Sequence, residues 1–405
     1  MHRILSLIAL ALAGLPAGGA AQTLPQAFEA AWARQPAAAA LQARREAAHA
    51  QQQATRAWTP EPAALELAAR RDSPGRNGAG TREYEAGVAV PLWLPGERAR
   101  SRALADAEGQ AVESGHAAAQ LRLAASVREA WWAWLRARSE AQTAAGQLDN
   151  AHRIAADVAR RLKAGDVARA DQHQADGALA AAESTVAQAD AMVVAAQRQL
   201  SALTGWPAAA AEPAAGAEPE PTVGAVDAEV HGEIRALSDR AAVAERAAAL
   251  AAAQSRANPE LLLATTRERS AFGEAYNQTV TVGVRIPFGG GPRHEARQAT
   301  ARADALELQS QLALERARVA GGQEAARAST EAARTQLAAA LRRQQLARES
   351  RGFFDKSFQL GQTDLPTRLR IEAEAVEAER QAAHAHIELA AAISAWRQAL
   401  GLLPQ

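Results

Sequence analysis

The sequence predicts a mainly α-helical fold with a small β part, built from two copies of one unit. Three observations lead to this prediction: an alanine-rich composition, an internal repeat with an offset of 196 residues, and paired segments in which apolar and polar residues alternate. Alanine has the highest helix propensity and a small side chain, so this composition is typical of long, closely packed helices. The alternating segments have the period of β-strands.

Composition excludes several classes of function. The 405 residues include 45 basic and 45 acidic side chains, so the net charge gives no electrostatic footprint for nucleic acid. There is no cysteine, which excludes disulfides, thiolate metal sites and an N-terminal lipidated cysteine. We therefore expect no nucleic-acid partner and no lipid anchor of that kind.

The first 21 residues have the pattern of a secretory signal. Arg3 forms a short basic region, an apolar run follows from Ile4 to Leu15, and small residues precede Gln22. We expect a signal peptide over 1–21 and a mature chain that begins at Gln22. A membrane anchor is the alternative, but the apolar run is short for a membrane span.

An internal repeat organises the rest of the chain. GVAVPLWLPGERAR begins at Gly87 and GVRIPFGGGPRHEAR begins at Gly283. The same offset of 196 residues separates two further pairs of glycines, Gly165 from Gly361 and Gly205 from Gly401. The predicted domains are a first repeat over 22–205, a Pro/Ala-rich linker over 206–226 and a second repeat over 227–405.

Each repeat has the same predicted order of elements. A helix (about 24–57, and about 227–256) comes first, and two strands follow within 61–92 and 259–288. A long helical hairpin then covers 97–204 in the first repeat and 292–401 in the second. Its first helix has more than 60 residues, or roughly 90–100 Å at ~1.5 Å per residue, which suits a conduit better than a globular core.

The strands are predicted to have one lipid-facing and one lumen-facing side, because apolar and polar residues alternate. Predicted lipid-facing residues are Tyr84, Val88, Val90, Val280, Val282, Val284 and Ile286. Predicted lumen-facing residues are Glu83, Glu85, Thr279, Thr281 and Arg285. Aromatic residues near the strand ends are possible interfacial anchors, and for Trp93 packing against the base of the strands is the alternative.

Four strands cannot close a membrane barrel, and open sheet edges are not stable in lipid. The chain is therefore predicted to oligomerise. Three copies would supply twelve strands, an even number that leaves room for a pore, although the residues alone leave a dimer open.

The duplicated strand–turn–helix segments and the hairpin sequence RLKAGDVARADQHQADGALAAAE resemble the TolC family of outer-membrane efflux proteins. The opening TLPQAFEAAWARQPAAAA is similar to the first mature helix of that family. This resemblance implies a homotrimer with a twelve-stranded β-barrel and an α-barrel tunnel of helical hairpins in the periplasm. It also implies a periplasmic adaptor and an inner-membrane transporter as partners, in a Gram-negative outer membrane.

The two glycine-containing turns are predicted to join the helices of each hairpin. The resemblance implies that they form the periplasmic tip that contacts the adaptor, and the plain alternative is a helix–helix turn. The tip residues are Gly165, Asp166, Asp171, Gly361, Thr363 and Asp364. We expect the glycines to cap the preceding helices, and Asp166 together with Thr363 or Asp364 to cap the following ones.

No sequence pattern predicts catalysis, a cofactor or a metal. His384 and His386 are two residues apart on a predicted helix, which places them on different faces. Trp131, Trp132 and Trp134 lie far along the first long helix, where helix packing is the better interpretation. The predicted function is a passive, non-enzymatic channel subunit of a tripartite efflux or type I secretion system. The alternatives are a periplasmic adaptor or helical scaffold without a pore, an exported coiled coil and, least of all, an enzyme.

Overall fold

The computed structural model describes residues 22–71, 81–207, 216–222, 228–271, 273–288 and 291–405. The predicted signal peptide and parts of the linker lie outside these residues. Within them the elements follow one order twice: helices, two strands, and a long helical hairpin. The first repeat comprises α1 (Leu24–Ala33), α2 (Pro36–Ala54), β1 (Ala64–Arg71), β2 (Arg82–Pro91), α3 (Glu97–Ala164) and α4 (Arg169–Thr204). The second comprises a short 3-10 turn (Ala228–Val230), α5 (Gly232–Ala253), β3 (Glu260–Arg269), β4 (Asn277–Arg285), α6 (Gly291–Gln359) and α7 (Leu365–Ala399).

The start of the first repeat is two helices, whereas the sequence analysis predicted one. Thr23 caps α1 with a capping box, in which its hydroxyl accepts from the Gln26 amide and the Gln26 side chain accepts from the Thr23 amide. Gln35 is extended, at φ −74° and ψ 134°, because the residue before a proline is driven out of the α region. Pro36 then begins α2, where its missing amide hydrogen costs nothing.

The two longest helices dominate the molecule. Helix α3 has 68 residues and α6 has 69, so each is about 100 Å long at ~1.5 Å per residue. Their partners α4 and α7 run back along them as antiparallel hairpins. Alanine at the contacts lets these helices approach closely along their length. None of the described helices carries an apolar stretch long enough to cross a membrane.

The four strands form one antiparallel sheet in the order β1-β2-β3-β4. The central pairing, β2 with β3, joins the two repeats, with Gly87 opposite Ala264. A Cβ atom on Gly87 would lie 3.1 Å from the Ala264 Cβ, so the two strands are close at this point. Strand β4 ends at Arg285, short of the predicted strand end, so Ile286 and Phe288 follow the strand and do not belong to it.

The largest apolar core lies midway along the long helices and is centred on the tryptophans. Trp131, Trp132 and Trp134 of α3 are buried against Phe28 of α1 and Leu200 of α4. The rings of Trp131 and Trp134 meet edge to face, with centroids 5.7 Å apart. These tryptophans therefore pack helices α1, α3 and α4 together.

The mainly α-helical fold with a four-stranded antiparallel sheet and two long helical hairpins confirms the predicted fold class. Closure of twelve strands into a barrel is a property of an assembly, and it is taken up below as a proposal.

Candidate functional site

The sheet has two chemically different faces, which the strand register defines. Val88 is paired with Leu65 on one side and with Leu263 on the other, and Leu263 is paired with Val282. Residues directly opposite in a ladder share a face, so this row is apolar across all four strands. The side chains at both ends of the row are exposed, with Leu65 at 69% and Val282 at 69%.

All but one of the predicted lipid-facing residues lie on this apolar face. Tyr84, Val88 and Val90 in β2 share it with Val280, Val282 and Val284 in β4. Ile286 is half exposed but lies beyond the end of β4, so the register does not assign it to a face. The sequence analysis missed the apolar contribution of β1 and β3, which consists of Leu65, Leu67, Leu261 and Leu263.

The opposite face is polar and carries ion pairs between strands. The predicted lumen residues all lie on it, namely Glu83, Glu85, Thr279, Thr281 and Arg285. Arg285 pairs with Glu260 at 2.6 Å and with Glu66 at 3.4 Å, and Arg70 pairs with Glu83 at 3.5 Å. Sequence reasoning missed Glu66, Arg70 and Glu260 because the alternation of β1 and β3 is less regular.

The junction between strands and helices is fixed by a buried carboxylate. Glu97, the first residue of α3, accepts hydrogen bonds from the Leu94 amide at 2.9 Å, the Gln254 amide group at 2.8 Å and the Asn258 amide group at 2.7 Å. These bonds join the exit of β2 to the segment that enters β3. Trp93 donates from its indole nitrogen to the Ala57 carbonyl at 3.3 Å, so it contacts the base of the strands.

The two turns that were predicted as tips lie at the same end of the molecule and pack together. Gly165 and Gly361 both have a positive φ, 86° and 69°, which a residue with a side chain rarely adopts. Asp364 caps α7, since its carboxylate accepts from the Thr367 amide at 3.2 Å, and this contact lowers the pKa of Asp364. Thr363 instead contacts Ser357 at 2.5 Å through its hydroxyl.

One predicted cap is wrong. Asp166 does not cap α4, because two residues separate it from the first helical residue, Arg169, and Ala168 occupies the cap position. The carboxylate of Asp171 accepts from the Ala168 amide at 2.9 Å and so stabilises the start of α4 from inside the helix.

An aromatic ring at the tip is held between two guanidinium groups. Phe358 of α6 is buried, with Arg161 of α3 at 4.4 Å and Arg368 of α7 at 4.5 Å from its ring centroid. Arg368 also pairs with Asp355 at 3.1 Å and approaches Asp157 of α3 to 3.9 Å. These contacts join the hairpin of the first repeat to that of the second.

A polar groove of about 620 Å³ lies between the hairpins above this cluster. Arg153, Arg351, Arg368, Glu372 and Glu379 contribute charged groups to its lining. Burial raises the pKa of Glu372, and Arg351 opposes this effect. The mixture of charges suits contact between helices better than binding of one class of small ligand.

The described part of the linker, 216–222, contacts helices of both repeats. Glu218 is buried and pairs with Arg128 of α3 at 2.7 Å and with Arg397 of α7 at 3.3 Å. It also accepts a short hydrogen bond from the Ser394 hydroxyl. The linker thereby joins helices of both repeats through one carboxylate, a role that its Pro/Ala-rich composition did not indicate.

No cluster of three metal-ligating side chains occurs among the residues that the structure describes. His384 contacts Glu388 at 3.5 Å one helical turn away, and that carboxylate also pairs with Arg136. These groups connect α3 with α7 and resemble no arrangement of nucleophile and base.

Comparisons with known proteins agree with this architecture. The sequence model of the family described as "Outer membrane efflux protein" matches residues 27–206. Among solved structures, the outer membrane protein VceC of Vibrio cholerae superposes with a TM-score of 0.77 at 18% identity, over 93% of this chain and 96% of that one. No curated protein matches the chain.

Two further channels share the fold. CusC, whose structures concern transmembrane channel formation, has a TM-score of 0.77 at 16% identity, covering 94% of this chain and 92% of its own. The outer membrane channel CmeC of Campylobacter jejuni has a TM-score of 0.76 at 13% identity, covering 93% and 85%. The fold is thus that of outer-membrane channels. Together with the sequence match, it confirms the predicted resemblance to the TolC family of outer-membrane efflux proteins.

Proposed function

We propose that the chain is the outer-membrane channel subunit of a tripartite efflux or type I secretion system. The observation that carries this proposal is the four-stranded sheet, which has an exposed apolar face, a polar face and two unpaired edges. Strands β1 and β4 each have one neighbour within the described sheet. Unpaired backbone groups are not stable in lipid, so β1 of one copy is expected to pair with β4 of the next.

Three copies would close a barrel of twelve strands, with the apolar rows towards lipid. Glu83, Glu85, Thr279, Thr281 and Arg285 would then line the lumen. The helical hairpins would continue the pore as an α-barrel, since they extend about 100 Å from the sheet. We infer a homotrimer in the outer membrane of a Gram-negative bacterium, exported by a signal peptide over 1–21.

The tips are the proposed site of contact with a periplasmic adaptor, and an inner-membrane transporter supplies the energy. Gly165, Asp166, Asp171, Gly361, Thr363 and Asp364 form the two turns that the adaptor would meet. The proposed conduit is passive and carries out no chemistry. Its repeats are the units proposed from the sequence, 22–205 and 227–405, with the linker over 206–226.

Opening requires the two hairpins of one chain to separate at the tip. The contacts that oppose separation are those of Arg368 in α7 with Asp157 in α3 and of Arg161 in α3 with Phe358 in α6, because each joins one hairpin to the other. An adaptor that draws the second hairpin outward would break them. The tips would then move apart while the tryptophan core midway along the helices stays packed.

Conductance in planar bilayers tests this proposal. The wild-type trimer should show low conductance, and Arg368→Ala should raise the open probability by about fivefold, the equivalent of ~1 kcal/mol. Arg370→Ala is the matched control, because among the described residues Arg370 pairs only with Glu374, along its own helix, and is 62% exposed. A chain that forms no pores, with or without the substitution, would favour the alternative of a helical scaffold or adaptor without a pore.

A further inference from the structure

Between the tryptophan core and the tips, the chain is a row of four helices. Helix α4 packs on α3, α3 packs on α7, and α7 packs on α6. Helix α1, which also contacts α4, belongs to the tryptophan core. Helix α5, which also contacts α6, lies between that core and the sheet, since Gly232 is beside Ala117 and Gln254 bonds to Glu97. Among the described helices, the outer flanks of α4 and α6 near the tips therefore face no neighbour.

The open flank of α6 carries exposed apolar side chains at intervals of seven residues. Leu346 is 60% exposed and Phe353 is 71% exposed. Two exposed alanines continue the same spacing towards the sheet. An interval of seven keeps side chains on one side of a helix, where a partner helix can cover them. We call this set the α6 stripe: Ala332, Ala339, Leu346 and Phe353.

The open flank of α4 carries small residues at the same interval. A Cβ atom on Gly177 would meet no atom of the described chain within 4 Å. Small residues leave hollows on a helix surface, and the larger side chains of a second helix can fill such hollows. We call this exposed set the α4 stripe: Ala170, Gly177, Ser184 and Ala191.

The internal repeat indicates that these two stripes face each other across the boundary between copies. Within one chain, Asn150 of α3 and Ala373 of α7 line the same groove. The repeat offset of 196 residues converts Asn150 into Leu346 of α6, and Ala373 into Gly177 of α4. The same operation converts the pairing of β2 with β3 into a pairing of β4 with β1, which is the pairing proposed above between copies. The sheet and the helices thus give the same boundary.

The side chains at this boundary differ from those at the equivalent boundary within the chain. Three ion pairs join α3 to α7: Arg136 with Glu388, Glu140 with Arg380 at 3.1 Å, and Asp157 with Arg368 at 3.9 Å. All six equivalent residues are uncharged, namely Ala332 and Met192, Gln336 and Ser184, and Phe353 and Gln172. Apolar contact therefore takes the place of the three ion pairs.

We propose that the α6 stripe of one copy packs against the α4 stripe of the next copy, with Leu346 over Gly177. The partner is a second copy of this chain, and the inference rests on the proposed trimer. Each copy offers the α6 stripe on one side and the α4 stripe on the other, so three copies form three such contacts and the ring closes. The contact buries Leu346 and Phe353, which are exposed in a single copy.

Crosslinking in purified outer membranes tests this proposal, because the natural chain has no cysteine. The double variant Leu346→Cys/Gly177→Cys is treated with a short bismaleimide, which can span helices about 8–10 Å apart. We expect covalent dimers and trimers on a denaturing gel. Leu346→Cys alone and Gly177→Cys alone are the matched controls, and each should remain at the mass of one chain because its thiol has no partner.

The equivalent pair within one chain provides the second control. Asn150→Cys/Ala373→Cys should be linked inside each copy, which leaves the mass of one chain. If Leu346→Cys/Gly177→Cys also stays at that mass while the preparation is trimeric by sizing, the two stripes do not meet, and the α6 stripe is left for a different partner such as an adaptor helix. A preparation that is monomeric before crosslinking would instead refute the trimer on which the proposal depends.

Discussion

Neutralising Glu218 should destabilise the helical part of the protein more than any other single change in the linker. Glu218→Gln keeps the size of the side chain but removes the charge between Arg128 and Arg397, each of which is 4% exposed. Removing one partner of a buried ion pair leaves an uncompensated charge, which costs about 3–5 kcal/mol. Because 1.4 kcal/mol corresponds to a factor of ten, the equilibrium constant for unfolding should rise more than a hundredfold.

The assay is thermal unfolding followed by circular dichroism at 222 nm, with limited proteolysis to locate the first opening. Glu220→Gln is the control, because Glu220 is in the same segment but is partly exposed, where it pairs with Arg334. We expect a clearly lower midpoint and early cleavage around residues 216–222 for Glu218→Gln, and little change for Glu220→Gln. Equal midpoints for the two variants would refute the idea that the buried carboxylate holds the repeats together.

Two further variants probe the helical part of the protein. Trp131→Ala should lower the free energy of unfolding by about 3–5 kcal/mol, because it opens a cavity in the fully buried core around Trp134. The control, Trp58→Ala, changes a residue that is 94% exposed and should leave the unfolding midpoint unchanged. Burial lowers the pKa of His231, so the folded chain binds a proton less readily than the unfolded one. The free energy of unfolding should therefore be highest above pH ~6.5 and should fall as the pH drops below that value. His231→Asn keeps an acceptor for the Glu233 amide and should make the free energy of unfolding less dependent on pH when unfolding curves are measured between pH 5 and 8. The same pH dependence in the variant and the wild type would assign it to other groups.

The sequence predicted the fold and the two faces of the sheet because both are periodic. An offset of 196 residues, seen at Gly87 and Gly283, indicates a duplicated unit, and the alternation in β2 and β4 assigns each residue to a face. The glycines at the tips were predictable for a local reason, because the left-handed conformation at a helix end favours glycine. These features are repeated or local patterns, which the sequence shows directly.

What the sequence did not indicate depends on contacts between distant residues. Glu218 meets Arg128 and Ser394, which lie 90 and 176 positions away, and a Pro/Ala-rich linker has no period that would reveal such partners. Likewise, Arg82 and Arg269 become neighbours only through the pairing of β2 with β3. Asp166 was given a capping role because it follows Gly165, but the turn continues to Ala168 before α4 begins.

The central claim is that three copies of this chain close one barrel in the outer membrane. The most direct measurement is native mass spectrometry of the protein extracted from purified outer membranes in mild detergent. The account predicts a homotrimer that stays in the outer-membrane fraction after washing with high salt. A monomer or dimer in the soluble periplasmic fraction would contradict the account, because the apolar face and the two strand edges would then have no lipid and no neighbouring copy.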